Sequence, residues 1–253
     1  MKIRLHQFLS KSGVFTSKKM VKDAIWKGSI TVNGSVVKDI AFQFNPAKKA
    51  VCYLGEVLIL PEEQLYYVFN KPKGYICSRL NEEEKSLGKK SIYQLFENSV
   101  ERSVYERLVT VGRLDEDTTG FLLVTTDGKV VHNITSPEQY ISKTYLVETL
   151  NPVSRSDADQ IERGIKISVQ EQGSTESYTT RPAYIQFEGE CEVLLTIQEG
   201  KKRQIRRMFS HLNNEVIALH RTSTERMELS DYNLDFGQFQ AISEEDILAL
   251  ILE

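Results

Sequence analysis

Cysteine is scarce and carries no pattern. The chain has three, Cys52, Cys77 and Cys191, odd in number and far apart. They make neither an even disulfide set nor a zinc-ligand spacing, so a reducing cytoplasm is the expected home. Histidine is as thin: His6, His132, His211 and His220 show no metal-ligand spacing. Long apolar runs are missing as well. The last one, Ile247 to Leu252, is far too short to span a bilayer, and Met1-Lys2-Ile3-Arg4 leads into a mixed polar segment unlike a secretory signal. Neither Gly-x-Gly-x-x-Gly nor Gly-x-x-x-x-Gly-Lys-Ser/Thr occurs, so no nucleotide cofactor is signalled.

What the chain does have is charge, unevenly spread. The formal total is −3, which by itself argues weakly against a nucleic-acid partner. Residues 1–60, however, hold ten basic and three acidic side chains, a net of +7 that leaves −10 for the remainder. Such asymmetry describes a small basic module on an acidic body, and a basic module is built to meet phosphate.

At 253 residues the chain fits one large domain or two modest ones. Leu5, Phe8 and Leu9 have helical spacing, as do Val21, Ala24 and Ile25 after a cap at Thr16 or Ser17. Lys18, Lys19 and Lys22 fall off that second apolar stripe. Ile30 to Val32 and Val36-Val37 flank Asn33-Gly34, the strongest short hairpin signal. A second hairpin is expected around Gly55-Glu56, and residues 61–65 read as a linker. Beyond it, strands are expected at Leu65 to Phe69, Ile141 to Thr149, Arg181 to Phe187, Cys191 to Ile197 and Glu215 to His220. Ser156 to Arg163 reads as a helix stopped by Gly164, and Ser243-Glu244-Glu245-Asp246 opens a last one like a capping box. Asn81 to Lys90 is charged and reads as a mobile loop. Ile205, Met208, Phe209 and Leu212 define an amphipathic helix, with Arg203 and Arg207 opposite its apolar stripe and Arg206 at the boundary.

The most informative stretch runs from Val111 to Gly128. Phe121 to Thr125 is apolar and bounded by Gly120 and Asp127-Gly128, which reads as a short buried strand. Ahead of it lies a polar loop with Arg113, Asp115, Glu116 and Asp117 between Gly112 and Gly120. A loop held against a buried strand is a common mount for a reactive side chain. Read from the residues alone, its acids fit turn formers, solvated charges or a catalytic carboxylate.

Gly-Arg-Leu-Asp at 112–115, Asp-Thr-Thr-Gly at 117–120, the apolar strand and Thr126-Asp127-Gly128 together resemble the central motif of pseudouridine synthases of the RsuA/RluA superfamily. Lys71-Pro72-Lys73-Gly74, Lys143-Thr144-Tyr145 and Arg203-Gln204-Ile205-Arg206 resemble its other motifs, and the first 60 residues resemble an S4-type RNA-binding domain. Thr135-Ser136-Pro137 and Asn151-Pro152-Val153 are most similar to the branch that acts on small-subunit (16S) rRNA. The resemblance implies an α+β chain: an S4-like domain over 1–60, a linker at 61–65, and a catalytic domain over 66–253 with a central, mostly antiparallel sheet flanked by helices. It implies Asp115 as nucleophile, Arg206 as the cation paired with it, and Tyr145 as the ring that stacks on the target base. Lys71 is expected to be structural or near phosphate. Arg113, Arg203, Arg207, Lys18, Lys19 and Lys22 are expected on RNA. No metal or cofactor is implied. The expected partner is ribosomal RNA, met by a cytoplasmic monomer away from any membrane.

Overall fold

Tyr66–Lys71 is a strand with every residue buried, and the larger part of the chain is laid out from it. It pairs antiparallel with Thr119–Thr125, from Gly120 opposite Lys71 to Thr125 opposite Tyr66. Near-continuous apolar runs of this kind are what a strand covered on both faces requires. In this computed structural model, which describes residues 2–60, 64–171 and 174–251 (side chains of 169–171, 174–176, 250 and 251 excepted), the sheet has a single long path. Its order is Tyr184–Phe187, Glu192–Ile197, Lys143–Thr149, Val216–Thr224, Thr119–Thr125, Tyr66–Lys71, Phe239–Ile242. Neighbours are antiparallel except Thr119–Thr125 with Val216–Thr224. The fold is α+β, with a mostly antiparallel central sheet.

The one parallel contact is unusually close. A Cβ at Gly120 would lie 2.2 Å from the Arg221 carbonyl oxygen and 2.8 Å from its nitrogen, and Gly120 has φ +103. Only glycine tolerates both conditions. On one face of the sheet Tyr66, Val68, Phe121 and Leu123 pack with Val130 and Ile134 of the helix Gly128–Thr135. That helix is capped by the Asp127 carboxylate, which accepts from the Lys129 amide at 2.8 Å.

The chain divides into two compact units, Met1–Gln64 with Phe96–Leu108, and Leu65–Leu95 with Val109–Glu253. The expected linker falls largely on 61–63, outside the described residues, and the Phe96–Leu108 excursion has no counterpart in the division read from sequence. In the smaller unit, helices Leu5–Lys11 and Lys18–Trp26 bury Leu5, Phe8, Leu9, Val21, Ala24 and Ile25 against Ile30, Val32, Phe44 and Val51. Ser17 caps the second helix, accepting from the Met20 amide at 3.2 Å. Lys18, Lys19 and Lys22 are exposed on it.

Several expectations need correction. The charged segment 81–90 contains a helix, Glu82–Ser86, closed by a reciprocal Asn81–Glu84 capping box. The second hairpin turns at Leu54-Gly55, with φ of 50 and 90, one residue earlier than the Gly55-Glu56 expected. The strand expected to end at His220 runs on to Thr224. The hairpin Lys166–Glu171 with Ser174–Thr179 and the edge strand Phe239–Ile242 were not signalled, being largely polar or short.

Gly120→Ala is expected to lower stability by on the order of 3 kcal/mol, because its methyl group meets backbone that cannot retreat. Urea unfolding of the two proteins measures it.

Candidate active site

The loop between Val111 and Thr119 has no regular structure, yet it is tied down at most of its residues. Lys71 does much of this. Its side chain is fully buried, and its Nζ donates to the carbonyl oxygens of Thr118 (2.8 Å), Pro72 (3.1 Å) and Glu116 (3.5 Å). Burial pulls the Lys71 ammonium below its ordinary pKa, while Cys77, Asp117, Asp115 and Glu116 push the other way. Cys77 ties the other side of the loop: its Sγ donates to the Leu114 carbonyl at 3.3 Å and receives from the Leu114 amide at 3.4 Å. Burial pushes the Cys77 thiol up, so it stays neutral. The Gly74 amide donates to the Glu116 carbonyl at 2.8 Å, and the Thr118 amide to the Asp115 carbonyl at 3.1 Å.

The loop's acids are thereby sorted. Glu116 forms an ion pair with Lys89. Asp117 lies between two arginines: Arg203 reaches both of its carboxylate oxygens at 3.3 Å, and Arg206 reaches one at 3.1 Å. Arg206 also donates to the carbonyls of Val216 (2.8 Å) and Asp117 (3.3 Å), while its buried Nε has no partner among the described residues. Asp115 has no cationic side chain at ion-pair distance among the described residues. It lines a cavity of about 500 Å³.

Tyr145 also lines that cavity, buried to 7% exposure, and Leu219 and Ile205 add apolar surface. Arg113, Lys201, Lys202 and Arg203 bring positive charge to it. A slot with an aromatic wall, a partly buried carboxylate and a cationic border suits a flat polar base on a polyanionic strand. Among the described residues no three His, Cys, Asp or Glu side chains gather as a metal site requires.

Of the expected site residues, Asp115, Tyr145, Arg113 and Arg203 come together on one cavity. Arg206 does not meet Asp115. It meets Asp117, because the Asp115–Thr118 turn aims the second carboxylate at the helix Gln204–His211 and leaves the first facing the cavity. Lys71 is not on phosphate: a fully buried ammonium committed to carbonyls cannot reach RNA. Arg207 is half-buried and does not line the cavity. Sequence reasoning missed Asp117, Cys77, Leu219 and Arg221. Arg221 is 3% exposed, and its Nε donates to the Phe121 carbonyl at 2.6 Å. Its signal was the strand pattern itself, since an arginine opposite Tyr145 in a buried sheet is out of place.

Residues 65–211 match the family model described as RNA pseudouridylate synthase, and residues 3–47 match the S4 domain. The chain is 34% identical over 248 residues to the ribosomal small subunit pseudouridine synthase A of Salmonella typhimurium, covering 98% of this chain and 100% of that one. It is 33% identical over 249 residues to the Escherichia coli K12 protein of the same name, with the same coverage. A solved structure described as a pseudouridylate synthase superposes with TM-score 0.66 at 32% identity, covering 98% of this chain and 100% of that one.

Lys71→Met is expected to remove the ammonium donor from the carbonyls of Pro72, Glu116 and Thr118, of which Glu116 keeps the Gly74 amide, costing on the order of 2 kcal/mol. Hydrogen exchange should show the amides of Gly74 and Thr118 losing protection by about tenfold or more, ahead of the sheet.

Proposed function

Because the chain belongs to the RNA pseudouridylate synthase family, and carries an S4 domain ahead of it, we propose that it isomerises a uridine of small-subunit (16S) ribosomal RNA to pseudouridine. The near full-length likeness to small-subunit enzymes supports the substrate. The observation that carries the chemistry is Asp115 and Tyr145 on one cavity, with the other two loop acids neutralised by partners.

The reaction breaks the N1–C1′ bond of the uridine, turns the base and joins C5 to C1′; the C5 proton is lost to solvent and N1 takes one up, so the product is an isomer. A base within folded RNA must first leave its stack. Tyr145 offers it a face, and Leu219 an apolar surface. Asp115 is the nucleophile, since a carboxylate without a partner is free to meet the sugar. Arg206 works through Asp117 as a positioning residue: it fixes the loop rather than touching the reacting atoms. Arg113 and Arg203 supply charge for phosphate, and Lys18, Lys19 and Lys22 supply it on the smaller unit.

Tritium release from 16S rRNA labelled at uridine C5 tests the reading. Wild type should release label; Asp115→Asn should release none while its RNA affinity stays within about twofold. Release by the Asn variant would remove Asp115 from the chemistry, and no release by either would leave an RNA-binding protein without the activity. Replacing Lys18, Lys19 and Lys22 together by alanine should flatten the dependence of log K on log salt by about 2, near 0.7 for each phosphate lost. An unchanged slope, read by filter binding, would place those lysines off the RNA.

A further inference from the structure

Tyr145 also borders a second cavity, of about 260 Å³, on which Arg113, Lys143, Lys201 and Arg221 converge. The acid there is Glu199, and its Oε1 is already occupied by the Arg181 amide at 2.9 Å and the Gln204 amide group at 2.6 Å. Lys143 donates to the Ile141 carbonyl at 2.8 Å, and no carboxylate lies at ion-pair distance from it among the described residues. Burial and the nearby Arg221 pull its ammonium down to about 8, against the opposing pull of Glu225. Arg221 uses its Nε on the Phe121 carbonyl, and its two terminal nitrogens meet no acceptor among the described residues. Two like charges held together in a half-dry place oppose folding. Apolar side chains at the same positions would pack there without that cost.

Resting on the pseudouridine synthase reading, we propose that this cavity seats the RNA phosphodiester adjacent to the flipped uridine, gripped by Lys143 and Arg221 with Arg113 at the border between the two cavities. The wall shared through Tyr145 and Arg113 makes the two occupants neighbours on one strand. Ile134, Pro137 and Ile141 keep part of the lining apolar, which strengthens an ion contact by excluding water. An anion there cancels the repulsion between Lys143 and Arg221, so the site is stabilised only when RNA arrives.

The test uses full-length protein and a 16S rRNA transcript. Lys143→Met, which keeps the stem and removes the charge, should weaken binding by about tenfold. It should also lower the salt slope by about 0.7. Lys143→Arg should restore most of both. In urea the Met variant should be at least as stable as wild type, since it loses an unpaired half-buried charge. Unchanged affinity and slope would overturn the proposal, and so would a less stable Met variant, which would make Lys143 a structural charge. Inorganic phosphate serves as the second probe. Saturation of the wild type by millimolar phosphate, with no change of RNA slope in the Met variant, would mark a free-anion site and overturn the RNA assignment. Tritium release by wild type is followed in the same series. Its absence would sink the isomerase reading while the slope comparison still reports the phosphate contact.

Discussion

A single buried ammonium organises the site. Placing a lysine at zero exposure costs several kcal/mol unless its donors are satisfied, and the acceptors that satisfy Lys71 are the backbone carbonyls of Glu116 and Thr118, just after Asp115, and of Pro72. The loop therefore cannot move without stranding a charge. Lys71 lies opposite Gly120, Gly120 opposite Arg221, and Arg221 opposite Tyr145, so one row across consecutive strands carries a residue from each motif strand. The missing side chain at Gly120 lets the Val216–Thr224 strand come close enough to complete that row.

The same economy explains why three neighbouring acids have three fates. Glu116 is held by Lys89 and Asp117 by Arg203 and Arg206, which leaves Asp115 as the loop carboxylate without a cationic partner. A turn only four residues long separates them, so the distinction is one of direction. Charge totals hide it entirely: the larger part of the chain is acidic, yet the sides of the two cavities are rich in lysine and arginine.

Much of this is legible in the sequence, and what is legible there is local. Leu5, Phe8 and Leu9, or Ile205, Met208 and Phe209, declare helices because burial follows the helical period. Asn33-Gly34 declares its turn because both residues accept positive φ. Asp115 and Tyr145 were found through motif resemblance, and the structure places both on one cavity. The failures share a cause, which is dependence on partners distant in sequence. Lysine is ordinarily exposed, so nothing in Lys71-Pro72-Lys73-Gly74 announces which lysine is buried. The exchange of Asp115 for Asp117 as the partner of Arg206 depends on how a turn is aimed. Phe239–Ile242 becomes a strand only because Tyr66–Lys71 offers it an edge. Nor does any periodicity place Phe96–Leu108 with the smaller unit.

Lys71 and Lys143 show how the surroundings of a cation separate scaffold from function. Both are lysines in motif strands, and burial lowers the pKa of both. Around Lys71 three carbonyls accept from the ammonium; around Lys143 there is one, with an arginine beside it. A satisfied buried charge fixes geometry and can be understood from the protein alone. A half-buried charge with one carbonyl and no acid beside it is a cost that its own surroundings offset only in part. Beside Tyr145, in the second cavity, Lys143 is completed when something negative enters. In a protein whose substrate is a polyanion, that completing charge arrives with the base.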